Sequence, residues 1–304
     1  MKPGQIFRIA ATAAIILLNG TLIYGEQKKQ DTIRIGLIAD PQYADSPDRG
    51  PRHFRSTLQR LDNCISTLNA SGTDFIITLG DLTDHNPDDL DKVLEAFAKS
   101  KSPVYHTLGN HDFTKVNDIS MLTQRLSMPA AYYSISRNGW KFIFLDSNDI
   151  STYSHKDDKG RKRELEKMLS DIERSGGVNA KTWNGGIGKK QMKWLTKELK
   201  QGSRDNCRIL VFAHHPIWPE SVSNCLNDKQ ILSLLESFPS VMAYICGHHH
   251  PGNFETHGTL PCITIEGMIE GDSHSSYSVM EITPDKLTIV TNDDTTPFVT
   301  IQLD

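Results

Sequence analysis

The sequence of 304 residues predicts an α/β fold, and three observations carry that prediction. Short apolar, β-branched runs alternate with segments whose apolar residues recur at helical spacing, the pattern of strands covered by helices. The polar residues best suited to catalysis or metal binding fall where these runs stop. Ligands in such folds bind outside the carboxyl ends of the strands, so the stops mark one functional edge.

The elements follow in order. Ile33-Arg34-Ile35-Gly36-Leu37-Ile38-Ala39 reads as a buried strand and ends on Asp40. After a polar loop, residues 54–68 place Leu58, Leu61, Ile65 and Leu68 on one helical face. Phe75-Ile76-Ile77-Thr78-Leu79 is a second strand and runs into Gly80-Asp81. Pro87 and the Asp pair after it are start signals for a helix over residues 89–99. Residues 103–107 predict a third strand, leading into Gly109-Asn110-His111. Residues 140–145 predict a strand that ends at Asp146, and residues 161–174 and 189–199 predict helices. Residues 208–213 form a strand ending at His214, and residues 241–246 one ending at Gly247-His248. From 262 to 302, short strands alternate with turns as in antiparallel sheet.

No Gly/Ser-rich or Pro-rich linker, block of like charge or fixed-period repeat interrupts the chain, so residues 30–304 read as one domain. Ahead of it, Lys2 and Arg8 precede an apolar run over residues 9–18 and small or polar residues up to Gly25. That is the order of a signal peptide over residues 1–25. The run falls short of the roughly 20 residues of a spanning helix. A periplasmic or secreted protein without stable membrane insertion is therefore expected. The net charge of −4 gives no general attraction to nucleic acid or anionic membrane. A small phosphorylated substrate would have to be held locally. Five cysteines without a CxxC pair make no disulfide framework, and Cys207, Cys246 and Cys262 beside apolar runs read as buried thiols.

Five motifs hold the chemistry: Asp40-Pro41-Gln42, Gly80-Asp81-Leu82-Thr83-Asp84, Gly109-Asn110-His111-Asp112, His214-His215-Pro216 and Gly247-His248-His249-His250. Singly each is weak, since a Gly-Asp after a strand is usually a turn. Together, each at a strand end, they point to hard divalent cations, which prefer carboxylate, amide oxygen and imidazole. A two-metal site needs one carboxylate shared by ions about 3.5–4 Å apart, and lowers the pKa of a shared water. Glycines beside Asp81, Asn110 and His248 allow close backbone approach.

This order of motifs resembles the calcineurin-like metallophosphoesterase superfamily over nearly all of the chain after the leader. The resemblance implies a sandwich of two mixed β-sheets flanked by helices, with the metal site at the carboxyl ends of the strands. It implies that Asp40, Gln42 and His250 serve a first metal, that Asp81 bridges, and that Asn110, His214 and His248 complete the second. His111 would protonate the leaving group and Asp84 would orient it, while His215 and His249 would be supporting or structural. Two divalent ions are implied, Mn²⁺ first, with Fe, Mg and Zn as alternatives.

The superfamily usually shows Asp-x-His at the first motif, whereas this chain has Asp40-Pro41-Gln42. That departure is similar to the manganese-dependent ADP-ribose/CDP-alcohol diphosphatases. Further similarities are Ala39 to Asp45, Arg52 to Leu58, Gly185-Gly186-Ile187-Gly188, His215 to Pro219, Asn224-Cys225-Leu226 and Glu266 to Glu270. This resemblance implies a metal-bridging hydroxide that cleaves a phosphoanhydride in nucleoside-diphosphate-linked compounds, with Arg55, Ile187 and Cys225 as substrate contacts. Read as residues alone, Arg55 equally suits pairing with a carboxylate, and Ile187 and Cys225 suit packing. The alternative function is a phosphomonoesterase or cyclic-nucleotide phosphodiesterase on the same scaffold. Purple acid phosphatases would place a tyrosine where Asp84 stands, and a catalytically dead scaffold would have lost ligands that are all present here.

Overall fold

The alternation of strands and helices assembles into two six-stranded sheets in the computed structural model, which describes residues 32–116, 118–155, 157–270, 276–292 and 294–303. The signal peptide expected over residues 1–25 lies outside the described residues. In chain order the first elements are β1 (Ile33–Ile38), α1 (Ser56–Ser71), β2 (Phe75–Thr78), α2 (Leu90–Phe97) and β3 (Val104–His106). There follow α3 (Ile119–Arg125), β4 (Tyr133–Arg137), β5 (Trp140–Phe144), α4 (Lys159–Ser175), α5 (Lys189–Arg204) and β6 (Arg208–Phe212). The last are α6 (Asp228–Glu236), β7 (Val241–Cys246), β8 (Asn253–His257), β9 (Leu260–Thr264), β10 (Ser278–Ile282), β11 (Lys286–Thr291) and β12 (Val299–Gln302).

The first sheet runs β12-β11-β10-β1-β2-β3 and the second β4-β5-β6-β7-β9-β8. Strands β1, β2 and β3 are parallel, as are β5, β6, β7 and β9, whereas β10, β11 and β12 in the first sheet and β4 and β8 in the second pair antiparallel with their neighbours. Parallel centres send successive loops to one edge, which is why ligands far apart in sequence meet.

Period-two alternation fills both faces of the second sheet. Phe142, Phe144, Leu210, Phe212, Ala243 and Ile245 face the core shared with the first sheet. Ile143, Val211, Tyr244 and Cys246 face a second core that holds Leu195 and Leu199 of α5 and Ile231 and Leu235 of α6. Strands buried on both faces read as continuous apolar runs.

Three expectations are corrected. Residues 262–264 do not belong to an antiparallel tail; they lie in β9, which pairs parallel with β7 and whose five residues are all buried. The helix expected over 89–99 is a 3₁₀ turn, Pro87–Asp89, capped by Asn86, followed by α2. Cys207 is partly exposed, while the other four cysteines are buried, and all five are free thiols. Among the described residues, no helix is long and apolar enough to cross a membrane.

Candidate metal centre

The loops that leave β1, β2, β3, β6 and β7 bring the five motifs together. Backbone bonds lace the first two side by side: Gln42 N donates to Asp81 O at 2.8 Å and Tyr43 N to Leu82 O at 3.0 Å. Asp112 fastens the second to the third. Its Oδ2 accepts from the amides of Asp81 (3.0 Å) and Gly109 (2.9 Å), and its Oδ1 from that of Leu82 (2.8 Å). The packing leaves no room at two glycines. A Cβ on Gly109 would lie 2.1 Å from Asp81 Oδ1, and one on Gly80, at φ +91°, would lie 2.5 Å from Gly109 N. Asp40, Gln42, Asp81 and His248 hold φ of 50°, 44°, 53° and 67°. Left-handed backbone at non-glycine residues costs on the order of 1–3 kcal/mol each and gathers at ligand clamps.

The expected ligands converge. Asp81 Oδ2 lies 3.0 Å from Gln42 Nε2 and 3.4 Å from His214 Nε2. Gln42 Nε2 lies 3.2 Å from His250 Nε2, and His214 Nε2 lies 3.1 Å from Asn110 Oδ1. Candidate ligand atoms of Asp40, Asp81 and His214 lie within 4.8 Å of one another. Each histidine is held from behind: His214 Nδ1 bonds the Leu79 carbonyl at 2.7 Å, His248 Nε2 meets Asn184 Oδ1 at 3.2 Å, and His250 Nδ1 meets Glu270 Oε1 at 3.0 Å. Holding one ring nitrogen fixes the other toward the centre.

Electrostatics fit a cation. Asp40 and Asp81 are fully buried. Burial alone would raise the Asp81 carboxyl, but His214, His111 and His248 hold it well below the ordinary carboxylate range. Burial opposes charge on His214, yet the Asp81 and Asp40 carboxylates raise it to about 9. Burial likewise opposes charge on His250, and Asp40 with Glu270 raises it to about 8. The histidines are drawing protons toward negative charge that a metal ion would neutralise. Two buried atoms without a hydrogen-bond partner, Asp40 Oδ1 and Gln42 Oε1, belong to this set and suit a hard cation. The residues present therefore fit two divalent ions.

Gln42, Asp81, Asn110, His111, His248 and His250 line a cavity of about 450 Å³ with Arg52, Trp183 and Ser223. His111 Nδ1 hydrogen-bonds Asp84 Oδ1, and its amide donates to Asp81 Oδ1 at 2.8 Å. Burial works against a charged His111 ring, but Asp81 and Asp84 outweigh it and raise its pKa. His215 has both nitrogens engaged, by Ser147 Oγ and the Trp183 carbonyl, and burial lowers it to about 3, so it supports the loops. His249 does not line the cavity.

The expected substrate contacts lie elsewhere. Arg55 Nε pairs with Asp45 Oδ1 at 2.7 Å on the exposed surface, where that carboxylate meets its charge, and Arg55 does not line the cavity. Ile187 and Cys225 do not line the cavity, because their side chains pack into the second core. Arg52, by contrast, lines it and makes no ion pair among the described residues. Asp112 and Glu270 stand in motifs named from the sequence but without an assigned role, and Trp183 and Asn184 stand in none. Asp112 closes the third motif, and Trp183-Asn184 precede the Gly185-Gly186 pair, which are the signals that were there to be used.

The fold and this donor set define a metallophosphoesterase. The chain belongs to the calcineurin-like phosphoesterase family, whose sequence pattern matches residues 33–252. A manganese-dependent ADP-ribose/CDP-alcohol diphosphatase of Oryza sativa subsp. japonica is 29% identical over 298 residues, 87% of this chain and 92% of that protein. The protein of the same description from Homo sapiens is 26% identical, covering 83% and 87%. The crystal structure of a dimetal phosphatase from Danio rerio superposes with a TM-score of 0.81 at 25% identity, over 90% of this chain and 99% of that one.

Proposed function

We propose that this enzyme hydrolyses the phosphoanhydride of nucleoside-diphosphate-linked compounds, of the ADP-ribose or CDP-alcohol type, using two divalent ions, Mn²⁺ first among them. The observation that carries this is the convergence of Asp40, Gln42, Asp81, Asn110, His214, His248 and His250 beside a cavity that also presents His111 and Arg52. The relatives described as manganese-dependent ADP-ribose/CDP-alcohol diphosphatases align over 87% and 83% of the chain, which supports that substrate class.

Asp40, Gln42 and His250 would hold the first ion, Asn110, His214 and His248 the second, and Asp81 both. Bound there, the ions would supply charge neutralisation and an activated water for in-line displacement at phosphorus. His111, with Nδ1 held by Asp84, keeps Nε2 for giving a proton to the departing phosphate oxygen. Asp84 is buried, so its charge steadies the protonated ring throughout. Arg52 offers a two-pronged donor for the second phosphate of a diphosphate. Gln42 contributes a neutral amide where the superfamily usually has histidine, and oxygen donors suit Mn²⁺ or Mg²⁺ better than Zn²⁺.

The test is a hydrolysis panel with Mn²⁺ over ADP-ribose, CDP-choline, cyclic nucleotides and simple monoesters. The highest kcat/KM is expected for the two diphosphates, and Gln42→His should raise cyclic-phosphodiesterase turnover relative to diphosphatase turnover. A wild-type preference for cyclic nucleotides or monoesters, unmoved by Gln42→His, overturns the diphosphatase reading. We also propose that the mature chain works outside the cytoplasm, on the strength of Lys2 and Arg8 ahead of the apolar run over 9–18. Fractionation should find it in the periplasm or medium without its leader; uncleaved protein in the cytosol would contradict this.

A further inference from the structure

The three histidines of the donor set are supported by different chemistry. His214 leans on a backbone carbonyl, His248 on the neutral amide of Asn184, and His250 on the carboxylate of Glu270. Only the last backing is charged. Glu270 sits on a segment bolted to the first motif: Met268 N donates to Ala39 O at 2.9 Å and Ile269 N to Asp40 O at 3.0 Å. The Arg60 guanidinium bonds the carbonyls of Met268 and Ile269 from the other side. Glu270 is thus carried on the frame that positions Asp40, and its Oε1 reaches His250 Nδ1 at 3.0 Å.

We propose that Glu270 is a positioning residue that tunes the first metal and not the second. With Nδ1–H donated to Glu270, Nε2 is the ring nitrogen of His250 left for a metal ion, and it turns toward Gln42 and Asp40, which lie 3.2 and 3.6 Å away. A carboxylate behind a ligating histidine fixes the tautomer and raises ligand basicity. His250 is the single imidazole assigned to the first metal, so its backing acts there and not at the second. The inference rests on the two-metal reading above.

Calorimetric titration of the metal-free full-length chain with Mn²⁺ tests it, without recourse to turnover. The wild type should bind two ions. Glu270→Ala should weaken one binding step by about 10–100-fold and leave the other unchanged, the usual cost of losing such a partner. Glu270→Gln, whose amide oxygen still accepts from Nδ1, should recover most of that loss. Asn184→Ala should weaken the other step. Unchanged binding of both ions in Glu270→Ala, or an equal loss at both steps, overturns the inference. If Glu270→Ala does not fold, Glu270→Leu, which keeps the bulk but cannot accept from Nδ1, decides in its place: a loss at one step supports the proposal and no change at either overturns it. A wild type that binds fewer than two ions would mean that the two-metal reading itself is what failed.

Discussion

His111 is set up by two carboxylates with different partners. Asp84 takes its Nδ1 and Asp81 takes its backbone amide, so ring orientation and loop position are fixed independently. Replacing His111 by Ala should leave Mn²⁺ content intact and cut kcat by ~10²–10⁴-fold, as for other general acid–base residues. The loss should be smaller for p-nitrophenyl esters, whose leaving group needs less protonation. Equal losses for p-nitrophenyl and alkyl esters would point to a general electrostatic role. Asp84→Asn should give a weaker form of the same phenotype. The residues that converge at the strand ends were legible in the sequence because each lies at, or within a few residues of, the end of an apolar run. The substrate contacts were not. Ile187 and Cys225 sit in motif-like surroundings, but whether a small apolar side chain faces a cavity or a core depends on packing across elements far apart in sequence. Asp112 was passed over because a buried carboxylate that only accepts backbone amides looks, in sequence, like any loop aspartate.

Between elements, the decisive contact is the one between the loops after β2 and β3. Gly109 has no space for a methyl group, since the added carbon would lie 2.1 Å from Asp81 Oδ1 and 2.3 Å from Asp81 N. Backbone must therefore move, and Asp81 with it. Gly109→Ala should keep the fold, with a stability loss of about 1–3 kcal/mol typical of overpacking. It should also lower turnover by about 10²-fold or more, the cost of misplacing a reacting group by an ångström. Denaturant melts and Mn²⁺-saturated kinetics separate the two. Normal turnover would mean that the loops are not rigidly coupled. The central parallel strands were readable from sequence because both faces are buried, as in β5, β6 and β7. Strands β4 and β8 were not: they lie at the edges of their sheet, carry polar residues and are half exposed, so no apolar run announces them. The parallel pairing of β9 depends on the crossover through β8, which local pattern does not encode.

The molecule as a whole carries modest negative charge, and the buried carboxylates Asp40 and Asp81 concentrate a demand for positive charge at the strand ends. In the metal-free protein His214 and His250 titrate at about 9 and about 8, above the ordinary 6.5. A ligating histidine must be unprotonated, so at pH 7 each incoming ion displaces protons. Mn²⁺ affinity should therefore rise as pH climbs through 8 and 9, with net proton release at pH 7. Calorimetry in buffers of different ionisation enthalpy would detect that release, and affinity independent of pH between 6 and 9 would contradict it. Asp81 stands at the centre of this arrangement, because its Oδ2 meets both Gln42 and His214 while its Oδ1 is held by the His111 amide. The most direct measurement is the number of Mn²⁺ ions bound per chain, by elemental analysis of wild type and Asp81→Asn, with turnover followed in parallel. The account predicts two ions in the wild type, loss of both in Asp81→Asn and no activity. Full metal content with near-normal turnover in Asp81→Asn would contradict it.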